Sequence, residues 1–314
     1  MLSYAAKRLG LAIAVVGVVI AVLFVMIYVI PGDPLRVALG PRASAARIEE
    51  LRTRMGLDQP LILQILRFYK SVLTGDLGRD ILSNESVLKI ILGLMPYTLS
   101  LILGSMSWSI LLGIPLGCLS AMRPGSIFDR IAAILSVSAI AVPPFVIAIN
   151  ALLIFGIGLH WFPAIGAGDG MADQLYHLVL PSLAIGLGWV GYIARMLRAS
   201  ILEVEGENHV RTARAFGLPE GKVVFDYVLR IALLPTLTVL GIGIGQMLSS
   251  AVFAEIVFAR PGIGKLVYDA IITRNYPIVS GTVLVTTVFF VVVNLLADLL
   301  IAWLDPRVRL GLQH

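Results

Sequence analysis

An all-α membrane protein with six transmembrane helices is the fold this sequence predicts, on three observations. Of its 314 residues, 58% are hydrophobic and only 14% charged, against about 25% charged in a soluble domain. Its mean hydropathy is +0.94. Runs apolar enough to cross a ~30 Å hydrocarbon core recur along the chain, with the charge gathered between them. The net charge of +5 does not indicate a nucleic-acid surface, because the basic residues lie in loops between spans and not on one face. The single cysteine, Cys118, lies in an apolar run. It excludes an intramolecular disulfide and a cysteine metal cluster, and it reads as core packing.

The first span follows Lys7 and Arg8 and runs uncharged from Leu9 to Ile30. Those 22 residues reach about 33 Å as a helix, enough to cross. Pro31-Gly32-Asp33-Pro34 follows in place of a small-residue cleavage site, so the span is expected to be a retained anchor.

Residues 31–95 are the longest polar region and are expected to form a small structured lobe. Ser44 can cap a helix ending at Met55, with Ile48, Leu51 and Met55 on one side and Gly56 as its stop. Pro60 suits the first turn of a second helix whose stripe is Leu61, Ile65, Phe68 and Val72. Gly75-Asp76-Leu77-Gly78 reads as a turn.

Five more spans are expected at about Tyr97–Ala121, Ile131–Ile157, Leu178–Met196, Ile231–Phe258 and Ile278–Trp303. Pro115, Pro143-Pro144 and Pro181 fall in or at the ends of these runs, where they kink or start helices. Gly113 with Gly117, and Gly241 with Gly245, have the spacing that lets membrane helices pack closely.

Six spans put both termini on one side. Twelve Lys and Arg fall in the N-terminus, the 122–130 and 195–230 loops and the tail, against three in the 158–177 and 259–277 loops. The lobe adds nine to the sparse side, but segments longer than about 60 residues largely escape the charge rule. Both termini are therefore expected in the cytoplasm and the lobe outside. The expected divisions are an anchor (1–30), the lobe (31–95), a five-helix core (96–304) and a tail (305–314).

Between the fourth and fifth spans lies a charged stretch, Asn208 to Pro235. Val210 to Phe216 can make two helical turns, Gly217 can take the left-handed conformation that ends a helix, and Pro219 blocks continuation. Ala213 and Ala215 leave room for close approach, and Arg211 and Arg214 share a face that can meet carboxylates. Two readings stand side by side: a knob held out for a partner, or a basic loop that only fixes topology.

Catalytic patterns are few. Gly166-Ala167-Gly168-Asp169 matches the GxGD of intramembrane aspartyl proteases, but it lies in a short loop without a facing aspartate and reads as a turn. Pro261-Gly262-Ile263-Gly264-Lys265 lacks the spacing of a phosphate loop, and Leu266 stands where its hydroxyl belongs. The histidines show no metal-ligand spacing, and His160 and His177 read as interfacial or structural. Polar residues inside spans are the candidates for a pathway or gate: Asn150, Gln246, Ser249, Ser250 and Glu255. Glu255 can instead pair with Arg260. Asn294 is a further polar residue, and Asp298, close to Trp303, reads as interfacial.

With these parts in place, the chain resembles a permease subunit of the dipeptide/oligopeptide/nickel branch of bacterial ATP-binding-cassette importers, the first of the two paired permeases. The resemblance runs almost end to end. It is carried by Pro31-Gly32-Asp33-Pro34, Met55-Gly56-Leu57-Asp58-Gln59-Pro60, Gly75-Asp76-Leu77-Gly78, His177-Leu178-Val179-Leu180-Pro181-Ser182 and Ala194-Arg195-Met196-Leu197-Arg198-Ala199-Ser200. It continues through Val210-Arg211-Thr212-Ala213-Arg214-Ala215-Phe216-Gly217, Glu255-Ile256-Val257-Phe258, Pro261-Gly262-Ile263-Gly264, Asn275-Tyr276-Pro277 and Asp305-Pro306-Arg307-Val308-Arg309. His209, Phe216 and Asn275 depart from the commoner residues of that family.

The resemblance implies a type I importer fold in the bacterial inner membrane. Arg211, Thr212, Ala213, Arg214, Ala215, Phe216 and Gly217 would be the cytoplasmic coupling loop seated on an ATPase. The implied partners are a homologous second permease, two cytoplasmic ATP-binding subunits, an extracytoplasmic substrate-binding protein facing the lobe and the 259–277 loop, and membrane lipid. It implies no cofactor on this chain, with ATP and Mg2+ held by the partner subunits. Peptides rank first as substrate, and glutathione, nickel chelates or another small solute are alternatives within the branch. A secondary carrier or channel, and an intramembrane hydrolase, are the readings from other classes.

Overall fold

The computed structural model describes residues 2–29, 33–41 and 43–304, and the quoted Pro31-Gly32 and Asp305–Arg309 lie outside them. Every extended element is a helix: α1 (Leu2–Val29), α2 (Pro34–Leu39), α3 (Ala45–Met55), α4 (Leu61–Leu73), α5 (Val87–Met122), α6 (Ile127–Ala141), α7 (Pro144–Ala151), α8 (Met171–Glu205), α9 (Asn208–Ala215), α10 (Glu220–Lys222), α11 (Arg230–Val257), α12 (Ile263–Ile272) and α13 (Tyr276–Leu304). π-helical turns extend α7 over Leu152–Gly158 and join α10 to α11 over Val223–Leu229.

Among the described residues, four helices are long and apolar enough to cross a membrane: Val87–Met122, Met171–Glu205, Glu220–Val257 and Tyr276–Ala297. The shorter apolar stretches Ile13–Val25 and Pro144–Gly158 belong to the other two spans. The third span, expected as one helix over 131–157, is broken. Neither Pro143 nor Pro144 has an N–H to donate, and each pushes the residue before it out of the helical region. Val142 accordingly sits at φ −107°, ψ 115° and Pro143 at φ −58°, ψ 141°.

The described residues fall into two compact units. The first contains the chain up to Tyr97 together with Pro261–Val292. Asp33 caps α2 through the Leu35 N–H, and Arg52 reaches the same carboxylate at 2.6 Å. Leu35, Ile48 and Leu51 bury a small core beneath that pair. Ser44 caps α3, and Gly56 ends it at φ +67°. α4 lies against α1: the Tyr69 hydroxyl donates to the Gly17 carbonyl at 2.6 Å, and the Phe24 and Phe68 ring centroids are 5.3 Å apart. The larger core gathers Ile20, Leu77, Val87, Ile91, Ile263, Ala270, Ile278, Val279 and Leu284.

The 259–277 segment, expected as a loop, thus contains α12, which supplies Ile263 and Ala270 to this core. α5 also begins ten residues before the expected start at Tyr97, because Val87 and Ile91 are core residues of the same unit.

The second unit contains Thr98–Arg260 and the chain from Val293. α8 is its central helix, and small residues set the approach of its neighbours. A Cβ on Gly117 would lie 2.9 Å from the Ala194 carbonyl, and one on Gly113 3.1 Å from that of Val190. Gly186 leaves the same room for the Ser105 carbonyl. The Gly113/Gly117 spacing therefore does pack helix on helix. Gly241 packs against Ala297 in the same way.

Candidate functional site

Two places in the second unit carry the residues singled out from sequence. The first is the knob. α8 ends at Glu205, Gly206 and Glu207 make the turn, and α9 runs two turns to Ala215. Gly217 follows at φ +74°, a conformation that costs a side-chain-bearing residue about 1–2 kcal/mol. Its N–H returns to the Arg214 carbonyl and that of Leu218 to Ala213. Val210 and Ala213 face inward, packed with Leu197, Ile201 and Val204 of α8 and with Val223 and Val228. This corrects the expectation for Ala213: at 4% exposure its small size serves close packing within this chain. Arg214 is also engaged internally. Its Nη2 lies 2.6 Å from Glu220 Oε1 and 3.8 Å from Glu205. The hydrogen bond from Arg214 holds the Glu220 carboxyl below its ordinary range and raises the guanidinium further.

Arg211, Thr212, Ala215 and Phe216 are left facing outward, with Phe216 81% exposed. The knob is thus a rigid stub with a phenyl ring at its end.

A clamp near the knob was not anticipated from sequence. The Asp129 carboxylate accepts from the Gly125 N–H at 2.9 Å, the Ser120 hydroxyl at 2.7 Å and Arg198 Nη2 at 3.1 Å, and the Arg198 Nε lies 2.7 Å away as an ion pair. The Gly125 bond foremost, then those of Ser120 and Arg198, bring this carboxyl down to about 2. The available signal was Ser126-Ile127-Phe128-Asp129, a serine cap with an acid three residues on; Ser126 does cap α6.

The second place is the set of polar residues within spans, which the structure separates. Gln246 and Ser250 share a cavity of about 440 Å³ with Val142 and Pro144 at the α6–α7 break and with Trp189 and Tyr192 of α8. Asn150 lines a neighbouring apolar cavity of about 340 Å³ with Val146, Phe155 and Leu180, and its amide donates back to Val146. Ser249 is exposed and lines neither. Glu255 is the residue expected on the pathway or at its gate. It is fully buried, the Thr98 hydroxyl donates to it at 2.5 Å, and it borders neither cavity. Arg260 is buried at the same end of α11 and donates to Ser100.

The other tested patterns are structural. Asp169 is in an exposed turn where its N–H meets Asp173, and His177 pairs with Asp173 at 3.2 Å. Gly262 leads into α12, where Lys265 pairs with Asp269 at 2.6 Å. The Asp298 side chain lies outside what the structure describes.

Comparison with known proteins settles the family. Residues 113–310 match the model of the binding-protein-dependent transport system inner membrane component, and residues 1–102 match the N-terminal model for membrane components of the same systems. This chain belongs to that permease family. It is 38% identical to the glutathione transport system permease protein GsiC of Pectobacterium atrosepticum, over 98% of this chain and 99% of that one. It is 36% identical to the probable D,D-dipeptide transport system permease protein DdpB of Escherichia coli, over 96% of each. It is 34% identical to the dipeptide transport system permease protein DppB of Alkalihalophilus pseudofirmus, over 98% of this chain and the whole of that one. Among solved structures, an inward-facing MetNI methionine ABC transporter chain aligns with a TM-score of 0.54 at 19% identity, covering 69% of this chain and 96% of that one. That likeness concerns the fold.

The protein is therefore a multi-pass permease subunit of an ABC importer, with the type I importer fold, and not an enzyme. Such permeases work with a second permease, with ATPases that hydrolyse ATP, and with a binding protein.

Proposed function

We propose that this chain is the first of two paired permeases in a peptide importer, moving dipeptides and short oligopeptides, glutathione among them, into the cytoplasm. Substrate class is supported by relatives named for glutathione, D,D-dipeptide and dipeptide transport at 34–38% identity over nearly the whole chain. The observation that carries the mechanism is α9: a short helix braced by Val210 and Ala213, stopped at Gly217, with Arg211, Thr212, Ala215 and Phe216 turned outward.

In this reading the outward side of α9 and Phe216 seat in a cytoplasmic ATPase. Two ATPases closing on ATP and Mg2+ move the knobs of this chain and of the second permease together. The packing of α9 on α8 passes that motion to the spans. This chain binds no nucleotide of its own. Both termini and the knob are cytoplasmic, while the lobe of 31–95 and the α12 segment meet an extracytoplasmic substrate-binding protein. Of the residues expected along the pathway, Gln246, Ser250 and Asn150 border cavities and remain its lining.

The test is uptake by the complete transporter in proteoliposomes, with its binding protein supplied outside and labelled di- and tripeptides as solutes. ATP-dependent accumulation of peptide is expected. Phe216→Ser should lower it at least tenfold and weaken co-purification of the ATPases, a loss of ~1.4 kcal/mol or more at the contact. Uptake at the wild-type rate by Phe216→Ser would remove α9 from the coupling role.

A further inference from the structure

We infer that this permease has its own contact site for the uncharged middle of a peptide, in the cavity at the α6–α7 break. The inference rests on the peptide-import reading and gives the solute a place within this chain. The cavity, about 440 Å³, is within the range of small-molecule sites and has no charged side chain in its wall. Four polar side chains line it: the Gln246 amide, the Ser250 hydroxyl, the Trp189 indole and the Tyr192 hydroxyl. Only Ser250 is committed, donating to the Gln246 carbonyl at 3.1 Å, and its lone pairs stay open. The other three have no hydrogen-bond partner among the described residues.

A second observation comes from the backbone. Pro143 and Pro144 have no N–H to donate, and the backbone leaves the helix at Val142 and Pro143. Irregular backbone at membrane depth persists only where protein buries it or where it lines a watery cavity. Val142 and Pro144, the residues flanking this break, are part of the cavity wall. The aromatic side is fixed. A Cβ on Gly243 would lie 2.8 Å from the Trp189 ring, and Tyr192 meets that ring edge-on at 5.6 Å and 71°.

The chemistry selects an occupant. A peptide group has one N–H and one C=O, and a glutamine amide answers both at once. Trp189 and Tyr192 offer flat faces to the adjoining Cα atoms and side chains. Charged termini find no counter-ion here and must lie outside the cavity. A site without ion pairs holds solute weakly enough to release it, as conduction requires.

The test uses the complete transporter with its binding protein. Uptake of a tripeptide is compared with that of its analogue N-methylated at the amide nitrogen of the middle residue, both at concentrations that saturate the binding protein. The wild type should prefer the unmodified amide by about tenfold, the worth of one good hydrogen bond. Gln246→Leu should slow the unmodified peptide and shrink the preference to about twofold or less, with the second permease still co-purifying. Gly243→Ala should drive the indole into the cavity and slow bulky peptides more than small ones. A wild type without preference, or a Gln246→Leu variant that keeps it, would overturn the site. Loss of the second permease from both Gln246→Leu and Trp189→Ala would assign the cavity to the subunit interface instead. A wild type that imports no peptide would overturn the peptide reading itself, whereas uptake indifferent to these variants overturns only the site.

Discussion

Asn275 donates its side-chain amide to the carboxylate of Asp80, and both residues are buried in the first unit. Burial alone raises the Asp80 carboxyl. The bonds from the Ser83 hydroxyl and N–H, from Asn275 and from Leu82 outweigh it and leave the group below its ordinary 3.8. The sign follows: a carboxyl held lower in the folded state stabilises it above the unfolded value and loses that contribution as pH falls through the folded one. The Asp129 clamp obeys the same rule, its contribution fading between about 3.8 and about 2. Asp80 suits an asparagine at position 275, where an aspartate would set an acid against an acid. Asn275→Asp is expected to cost about 1–3 kcal/mol at pH 7. In thermal unfolding of the purified protein, that deficit should shrink as pH falls toward 5 and one carboxylate takes a proton. Adding Asp80→Asn should recover most of the loss, because the donor and acceptor roles are then exchanged.

α9 separates two functions that a sequence cannot. Its helix, its glycine stop and the restart after Pro219 were legible, since each follows from local propensity. The direction of its faces was not, because one sequence does not say which side of a knob rests on its own chain. Ala213→Trp therefore tests packing: it overfills a site with 4% exposure and should cost about 1–3 kcal/mol or more in stability. Ala215→Trp, on an exposed position, should leave unfolding unchanged and impair ATP-driven uptake. Equal stability loss in both would mean that α9 is mispositioned. Pro143-Pro144 was legible as a kink, whereas the full break depends on Val142 going extended. α12 was hidden because the 259–277 stretch between two spans reads as a short loop. Its apolar stripe finds a reason only in the core around Val87 and Ile91. The setting of Glu255 was not legible for a related reason, since periodicity places a carboxylate in a span without naming the Thr98 hydroxyl that donates to it.

At the scale of the whole molecule, the sidedness of the spans decides which proposed partners the knob and the lobe can meet. The six-span pattern was legible from hydropathy alone, but the sidedness rests on charge, and the lobe's nine basic residues with the three of the outer loops equal the twelve of the expected cytoplasmic side. α4 adds pressure on that point, since Tyr69 binds the Gly17 carbonyl in the middle of the first apolar run. Cysteine labelling resolves it. Cys118 is the sole cysteine, so Cys118→Ala gives a clean background. Phe216→Cys and Ser83→Cys then place one thiol each at exposed positions on the knob and the lobe. In intact cells, a membrane-impermeant maleimide should label Ser83→Cys and spare Phe216→Cys; in inside-out vesicles the pattern should reverse. Labelling of Phe216→Cys from outside would invert every span and place α9 beyond reach of a cytoplasmic ATPase. Labelling of both from one side would require an even number of crossings between residues 83 and 216, and the broken α6–α7 segment is the first candidate for the one that fails to traverse.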